Sequence, residues 1–336
     1  MTKLEYSVVI RTLGNTGDKY QTLLNSIKQQ LVQPLEIIVV LPHGYTIDHR
    51  LGCERFVYTE KGMVNQRIVG FKSAKTEYIL VVDDDVSFEP DFAQNMLSYI
   101  SKYDADVVLP SEYKIIQHTL LEKIKHFTKS SLLNLKYIII GLRFLHFNKK
   151  YVYKIALTGG NSKLFSINDN KVYLSQSGNF QCFLMKTDAA KNVKLEEEYW
   201  LNVNNYANND DQVFFYKSFL KANKIIFVPK ITYSHLNGGV AQANSNLKEN
   251  LKKKLYGISF NRTVFWYRFL FSKSNKLKKI ILIISLLYSL INTTILYLIV
   301  CVLIGVDFKI TFAVFKASKD AINYINTNKQ EILKSF

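Results

Sequence analysis

Cysteines are few in this chain of 336 residues, and an apolar N-terminal stretch is missing. The only cysteines are Cys53, Cys182 and Cys301, which lie far apart and form no CxxC pair. A disulfide framework is therefore excluded, and a reducing compartment is indicated. The first residues contain no apolar stretch of the secretory type, so we expect no signal peptide. Hydrophobic residues make up 48% of the chain, which excludes a disordered protein.

Acidic residues are nearly missing from two segments, which together hold most of the net charge of +17. Segment 118–154 has eight Lys or Arg residues against Glu122 alone, and segment 248–279 has ten against Glu249 alone. Such local basicity is typical of nucleic-acid binders and of proteins on anionic membranes. Long aliphatic runs accompany both segments, so we expect a membrane surface as the partner and no nucleic acid. Apolar residues at helical spacing over 120–145 predict an amphipathic helix that lies either in a membrane interface or against the core.

Charged residues are absent from 280–306. This segment exceeds the ~20 residues that a helix needs to cross a bilayer, and lysines flank it on both sides. Two interpretations remain open: one transmembrane helix with the long N-terminal part in the cytoplasm, or two short helices that turn at Asn292–Thr294. Ahead of it, aromatic residues between Tyr256 and Phe269 alternate with two arginines and predict an interfacial belt. We therefore expect the protein at the cytoplasmic face of the cell membrane.

Before these segments, predicted strands and helices alternate, which favours a mainly parallel sheet with helices on both faces. Strands are predicted at 6–11, 35–41, 55–59, 78–82, 107–109, 180–185, 225–228 and 231–233. Helices are predicted at 20–31, 64–74, 91–103 and 212–222.

A run of three carboxylates, Asp83-Asp84-Asp85, directly follows the apolar strand that begins at Tyr78. Like charges packed this tightly repel one another unless a cation lies between them. Hard divalent ions such as Mg²⁺ and Mn²⁺ take carboxylate ligands, and open α/β sheets bind their ligands at the carboxyl ends of strands. The alternative is a solvated acidic turn ahead of the next helix.

Further polar residues follow later in the chain. The glycine-bearing turns Thr158–Asn161 and Gln176–Asn179 predict loops around a pocket. Asp210 and Asp211 stand at a predicted helix start, either as caps or as catalytic carboxylates. His235 follows a strand, where a lone histidine is either structural or a ligand.

In combination these motifs resemble those of family 2 glycosyltransferases, and the resemblance runs from about Ser7 to His235. The matching motifs are Ser7–Thr12 for the opening strand, Lys61-Gly62 with Gln66-Arg67, Gly70 and Ala74 for the next helix, Asp83–Asp85 for the DxD motif, Asp210-Asp211 for the ED motif, and Ser234-His235 for the late histidine. Five motifs in the family's order and spacing make the resemblance specific.

The resemblance implies the fold, the cofactor and the residue roles. The fold would be GT-A, a Rossmann-like sheet flanked by helices, with a C-terminal helical extension on the membrane. The cofactor would be Mn²⁺ or Mg²⁺. The nucleotide sugar would meet Arg11, Thr12, Arg67, Asp83 and Asp84. Asp85 would bind the metal, with Asp83 and His235 as further ligands. Asp211 would be the catalytic base and Asp210 its alternative.

The chain departs from the family pattern at three places. Leu41–Gly44 stands where the family often has an Asp-Asp-Gly-Ser-like run, so no contact to the nucleotide base is assigned. Ile68 replaces the usual asparagine, and Lys217 stands where an arginine is common.

The sequence thus predicts a metal-dependent inverting transferase, of hexosyl or rhamnosyl type, with a nucleotide-diphosphate sugar donor and a lipid-linked or polysaccharide acceptor. A catalytically silent membrane scaffold on the same fold is the alternative, whereas a sugar nucleotidyltransferase is disfavoured because 13–18 is a poor triphosphate loop. The predicted division is a transferase domain at 1–240 with the basic insertion 118–154, interfacial helices at 241–279, a membrane segment at 280–306 and a tail at 307–336.

Overall fold

The computed structural model describes residues 4–112, 150–164, 167–203, 208–236, 247–303 and 308–334. Within these ranges the chain forms one sheet of eleven strands and nine α-helices. The strands are β1 (Tyr6–Arg11), β2 (Glu36–Pro42), β3 (Glu54–Thr59), β4 (Tyr78–Asp83), β5 (Val86–Phe88), β6 (Val107–Glu112), β7 (Tyr151–Ile155), β8 (Asn161–Lys163), β9 (Tyr173–Ser175), β10 (Cys182–Lys186) and β11 (Ile225–His235). The helices are α1 (Asp18–Lys28), α2 (Met63–Ser73), α3 (Phe92–Lys102), α4 (Thr187–Asn192), α5 (Asp210–Leu220), α6 (Leu247–Phe265), α7 (Lys276–Leu303), α8 (Phe312–Thr327) and α9 (Lys329–Leu333).

One half of the sheet has the parallel order β3-β2-β1-β4. Its central strands are apolar and buried on both faces, as strands between two helical layers must be. Helix α2 comes very close to β1, because a Cβ at Gly70 would lie 2.6 Å from Val9 Cγ1. The parallel order brings the carboxyl ends of β1, β2 and β4 to the same edge of the sheet.

The other half of the sheet is mixed. Strand β10 lies antiparallel between β4 and β6, and the order continues through β11, β9, β7 and β8. Strand β5 pairs antiparallel with β11. The predicted class, an α/β sheet flanked by helices, is confirmed, but the parallel arrangement is continuous only through the first four strands of this order.

Strand β11 differs from its prediction, because the two expected short strands form one continuous strand. Its pairing with β6 shifts register between Val228 and Thr232, and Pro229 lies in this interval. Proline donates no ladder hydrogen bond, so a bulge can contain it without ending the strand. The continuous strand ends at His235, which lies opposite Val86 of β5.

The C-terminal helices pack against the sheet domain through aromatic residues. Phe265 and Phe269 contact Tyr216 of α5 at centroid distances of 5.4 and 5.8 Å. Phe260 and Trp266 are buried as well. The predicted interfacial belt is therefore wrong for these four residues, because aromatic residues at helical spacing also fit a protein core. Trp266 lies in the π-helical turn Trp266–Phe271 that ends α6.

Helix α7 runs without a break through Asn292–Thr294. Asn292 Nδ2 donates to the carbonyl of Tyr288, and Thr294 Oγ1 donates to that of Leu290. These polar side chains are satisfied inside the helix, so they do not require a turn. The alternative of two short helices is wrong. Most of the predicted basic insertion 118–154 lies outside the described residues, and 151–154 belong to β7. The domain division at 240 stays a prediction.

Candidate active site

Strands β1 and β4 place Arg11 directly beside Asp83. The guanidinium donates to Asp83 Oδ1 from Nε at 3.2 Å and from Nη2 at 3.0 Å. Although burial lowers the pKa of Arg11, the adjacent carboxylate outweighs burial and raises it overall. Asp83 Oδ1 is therefore held by the guanidinium of Arg11.

Asp84 points towards the loop that follows β1. The Thr12 hydroxyl donates to Asp84 Oδ2, and Thr16 Oγ1 donates to the same oxygen at 3.2 Å. Burial, together with the charges of Asp83 and Asp85, raises the pKa of the Asp84 carboxyl. Asp84 thus fixes the loop that carries Thr12 and Thr16.

Asp85 meets His235 because β5 and β11 pair antiparallel, with His235 opposite Val86. His235 Nε2 lies 3.2 Å from Asp85 Oδ2, and the backbone N–H of Leu236 donates to the Asp85 carbonyl at 2.7 Å. Both side chains are about one quarter exposed, at 23% for Asp85 and 27% for His235. A carboxylate and an imidazole are thus held together at an accessible edge.

Arg67 connects the β4 carboxylates to the start of α5. From α2, its Nη1 donates to Asp210 Oδ2, while its Nη2 lies 3.7 Å from Asp83 Oδ1. The guanidinium also stacks over Phe180, 3.9 Å from the ring centroid. Arg67 is 5% exposed, so these contacts occur in a buried setting. The structure therefore places Arg67 on two aspartates, whereas the resemblance assigned it to the nucleotide sugar.

Asp211 stands beside this ion pair at the first turn of α5. The side chain is half-buried, and Oδ1 accepts the backbone N–H of Gln212 at 2.7 Å. Burial and the neighbouring Asp210 carboxylate raise the pKa of Asp211 to about 7. Because Arg67 is hydrogen-bonded to Asp210, Asp211 is the carboxylate of this pair that can exchange a proton near neutral pH.

A cavity of about 660 Å³ opens next to Arg11. One wall comes from the loops after β1 and β3 and from the start of α2, and the opposite wall from the segments before α5. Its lining includes Arg11, Leu13, Lys61, Asn65, Leu201 and Asn208. A mixed apolar and cationic lining of this size suits a nucleotide-sized organic anion.

The predicted metal ligands are only partly brought together. Asp85 and His235 are adjacent, but Asp83 Oδ1 is held by Arg11 and lies near Arg67. Among the residues that the structure describes, no group of three His, Cys, Asp or Glu side chains could hold an ion. The three-ligand set is therefore corrected to Asp85 and His235. This pair still fits Mg²⁺ or Mn²⁺, which proteins commonly hold with one or two side chains while phosphate and water complete the shell.

Several residues of the site were missed by sequence reasoning or had no assigned role. Gln66 donates from Nε2 to the carbonyls of Thr12 and Val40, which ties the ends of β1 and β2 together. Thr16 supports Asp84, and Phe180 supports Arg67. Of these residues, only Gln66 was identifiable from the sequence, because it belongs to the helix motif that resembles the family. The contacts of Thr16 and Phe180 depend on long-range packing.

Comparison with known families confirms the resemblance. Residues 49–176 match the family model described as glycosyl transferase family 2, so the chain carries a region of this family. The matched region is less than half of the chain; it contains Arg67 and Asp83–Asp85 and leaves Arg11, Asp210, Asp211 and His235 outside. A search of curated proteins finds no match.

Three solved structures are similar to this chain. The mannosyltransferase PcManGT from Pyrobaculum calidifontis, solved with GDP-Man and Mn²⁺, has 12% identity and a TM-score of 0.50 over 96% of this chain and 75% of its own. GalNAc-T7, solved with UDP, GalNAc and Mn²⁺, has 13% identity and a TM-score of 0.48 over 80% of this chain and 52% of its own. TarS of S. aureus has 13% identity and a TM-score of 0.44 over 86% and 54%. This chain spans about half the length of the last two. The first of these likenesses shows the fold, and with the family match it confirms the GT-A class.

Proposed function

We propose that this chain is a metal-dependent inverting glycosyltransferase. It transfers a sugar, of hexosyl or rhamnosyl type, from a nucleotide-diphosphate donor to a lipid-linked or polysaccharide acceptor in cell-surface glycan synthesis. The GDP-Man, UDP and Mn²⁺ complexes of the similar structures support a nucleotide-sugar donor and a divalent cofactor.

One observation carries this proposal: the chain brings five separate motifs to one edge of the sheet. Arg11 pairs with Asp83, Arg67 reaches both Asp83 and Asp210, and Asp85 meets His235. The partners in these contacts are separated by up to 150 residues in sequence. The cavity beside Arg11 gives the donor a place next to this group.

The residues divide the reaction between them. Asp211, with its pKa near neutrality, takes the proton of the acceptor hydroxyl as that oxygen attacks the anomeric carbon. Arg67 pairs with Asp210, and the Asp210 carboxyl beside Asp211 contributes to the raised pKa of Asp211. Arg11 lines the cavity and orients the nucleotide, whereas the predicted nucleotide contact Thr12 is buried and holds Asp84. Asp85 and His235 would hold the cation, which when bound neutralises negative charge on the departing diphosphate.

We expect the purified chain to hydrolyse one nucleotide sugar slowly, with Mn²⁺ or Mg²⁺ and not with chelator. Asp85→Ala should lower this hydrolysis by about 10²-fold, because a proposed ligand of the cation that would stabilise the departing phosphates is lost. Release of free sugar from a panel of nucleotide sugars measures it. Asp188→Ala, an exposed carboxylate of α4, is the matched control and should leave the rate unchanged.

Two outcomes bear on the alternative function. Metal-dependent binding of a nucleoside diphosphate without turnover would leave the acceptor as the missing component. If calorimetry finds no metal-dependent binding of any nucleoside diphosphate, the transferase is rejected and the membrane scaffold is favoured.

We also propose that the protein binds the cytoplasmic membrane face through α7, which lies in the plane of the lipid surface. Helix α7 is the one described helix long and apolar enough to cross a membrane, with a mean hydropathy of 2.2. One face packs on its neighbours at Leu282, Leu286, Leu290 and Cys301. The opposite face is apolar and exposed, at Ile280, Ile284, Leu287, Ile291, Ile295, Leu298 and Val302.

The neighbours of α7 favour this orientation over a span. They are α6, with exposed lysines at 252–254, and α8, with exposed Lys316 and Lys319. A spanning α7 would carry these charged helices into the hydrocarbon, at a large cost for each charge. An in-plane α7 keeps the lysines near anionic headgroups while its outer face enters the interface.

We expect Ile284→Asp with Ile291→Asp to abolish sedimentation with anionic vesicles without changing the unfolding temperature, because both side chains are exposed. Leu31→Asp is the matched control, since Leu31 is 67% exposed and belongs to the sheet domain. High salt or alkaline carbonate should release the wild-type chain from membranes. A chain that resists both washes would contradict the in-plane orientation and indicate a span.

A further inference from the structure

Arg262, in α6, is a buried cation with no counter-ion among the residues that the structure describes. Its side chain is 5% exposed, and its Nη1 donates to Ser289 Oγ at 3.3 Å. Nε and Nη2 are buried and have no hydrogen-bond partner. Burial lowers the pKa of Arg262 to about 10, so the side chain still carries its charge at neutral pH. An uncompensated buried charge is strongly unfavourable.

The other buried basic side chains of the described residues all have a carboxylate. Arg67 pairs with Asp210, Lys217 with Glu197 and Glu198, and Arg268 with Glu198. Arg268 is only six residues from Arg262 and is just as buried. This fold therefore supplies an acid where a buried cation has a structural role, and at Arg262 it supplies none among the described residues.

Further hydrogen-bond donors lie on the helices that carry Arg262 and its partner Ser289. Ser289, Thr293 and Tyr297 follow at intervals of four residues along α7, on the face that turns towards the protein. Thr293 Oγ1 is buried without a partner, and so is Trp266 Nε1, one turn after Arg262. Guanidinium, hydroxyl and indole N–H groups together suit a phosphate, whose oxygens accept several hydrogen bonds at once.

Arg262 lies between α7 and the start of α5. The neighbouring Asn261 donates from Nδ2 to the carbonyl of Asn208, two residues before α5, at 2.7 Å. The Arg262 carbonyl lies 3.2 Å from the point that a Cβ on Gly159 would occupy, and Gly159 O accepts the side-chain amide of Gln212 at 2.8 Å. Arg262 thus lies between α7 and the turn that holds the residue after Asp211.

We propose that Arg262 binds the phosphate of a phosphorylated lipid that enters between α6 and α7. This inference rests on the proposed membrane-bound transferase and names the chemistry by which it holds a lipid. The lipid phosphate has two sources, an isoprenoid that carries the acceptor glycan or a phospholipid of the bilayer. In both, the phosphate lies at the depth where an in-plane α7 meets the headgroups.

Thermal unfolding of the full chain in neutral detergent tests the site. The probes are farnesyl phosphate, a short-chain phosphatidic acid, farnesol and inorganic phosphate. We expect the phosphorylated lipids to raise the unfolding temperature in a concentration-dependent way, and farnesol and inorganic phosphate to do so far less. A larger effect of farnesyl phosphate assigns the site to the isoprenoid source, and a larger effect of phosphatidic acid assigns it to the bilayer.

Arg262→Met should weaken the apparent affinity for the phosphorylated lipid by about tenfold or more. Without lipid, the same variant should be at least as stable as wild type, because an unpaired buried charge is removed. Lys254→Gln, exposed on the same helix, is the matched control and should keep the full response. If Arg262→Met does not fold, Arg262→Lys decides, since a weaker response supports the site and an unchanged one overturns it.

Two results would overturn the inference: an equal response to phosphorylated lipid in a folded Arg262→Met, or an equal response of wild type to farnesol or inorganic phosphate. Donor hydrolysis separates this inference from the function. A wild-type chain that binds phosphorylated lipid but hydrolyses no donor would reject the transferase and leave the lipid site standing.

Discussion

Asp211→Asn should lower kcat for sugar transfer by about 10²–10⁴-fold, the range that a positioned general base contributes. Asparagine keeps the size and can still accept the Gln212 N–H, but it cannot take a proton. In its proposed role Asp211 contacts the acceptor hydroxyl and not the donor, so the KM for the nucleotide sugar should change little. Steady-state kinetics with varied donor measures both constants.

Asp210→Asn separates the two carboxylates. It removes the buried charge partner of Arg67, so it should lower stability, whereas Asp211→Asn should not. If Asp211→Asn keeps wild-type turnover and Asp210→Asn loses it in a folded protein, the base is Asp210. That result would contradict the assignment made from the ion pair.

The pH dependence follows from the same group. With a pKa of about 7, Asp211 is ionised above neutrality, so kcat should rise with pH up to about 7 and level off above it. The effect on stability has the opposite sign. Since the folded state binds this proton more tightly than the unfolded chain, its contribution is full below about pH 4 and is lost as the pH rises to about 7. Urea unfolding at pH 5 and pH 8 measures this effect. The unfolding free energy of wild type should fall between the two pH values by more than that of Asp211→Asn.

The parts of the site that the sequence predicted are those with a local signal. Asp83–Asp85 were identifiable because an apolar strand ends in three charges, and the strand–helix alternation was sufficient for the parallel half of the sheet. Asp211 was identifiable because two acids begin an aromatic helix. These inferences needed only neighbouring residues.

The contacts that complete the site could not be predicted in this way. Arg67 and Asp210 are 143 residues apart, and Asp85 and His235 are 150 apart. Their pairing depends on the antiparallel β5–β11 ladder and on the packing of α2, which no local pattern specifies. The wrong prediction of an interfacial belt has a related cause, because a stripe such as Phe260–Phe269 has the same period whether it faces lipid or a protein core.

Glu198 is the residue whose loss should destabilise the fold most. It is fully buried and accepts from Lys217 at 2.8 Å, from Arg268 at 2.7 Å and from Trp200 Nε1 at 2.8 Å. Lys217 belongs to α5, and Arg268 belongs to the π-helical turn that ends α6. Glu198 therefore joins α5 to the C-terminal helices. Glu198→Gln should cost about 3–5 kcal/mol of unfolding free energy, because it leaves Arg268 as an unpaired buried charge.

Glu197→Gln is the matched control for this loss. Glu197 also contacts Lys217, at 2.7 Å, but its side chain is 28% exposed. We therefore expect a cost below about 1 kcal/mol, as for solvated ion pairs. Urea unfolding at fixed pH measures both variants. Equal costs at the two positions would show that charge burial does not decide the stability here.

A second substitution isolates the charge from the packing. Adding Arg268→Met to Glu198→Gln removes the unpaired cation, so the double variant should be more stable than Glu198→Gln alone, and the two costs should not add. If the double variant instead loses the sum of the unfolding free energies that the two single substitutions cost, the two residues act through separate packing contacts. Because Lys217 keeps Glu197 in both variants, α5 retains one of its two acidic partners, and the stability regained should come from the C-terminal side of the junction. The unfolding free energy regained in the double variant therefore tests whether Glu198 acts as the counter-ion that holds the C-terminal helices against α5.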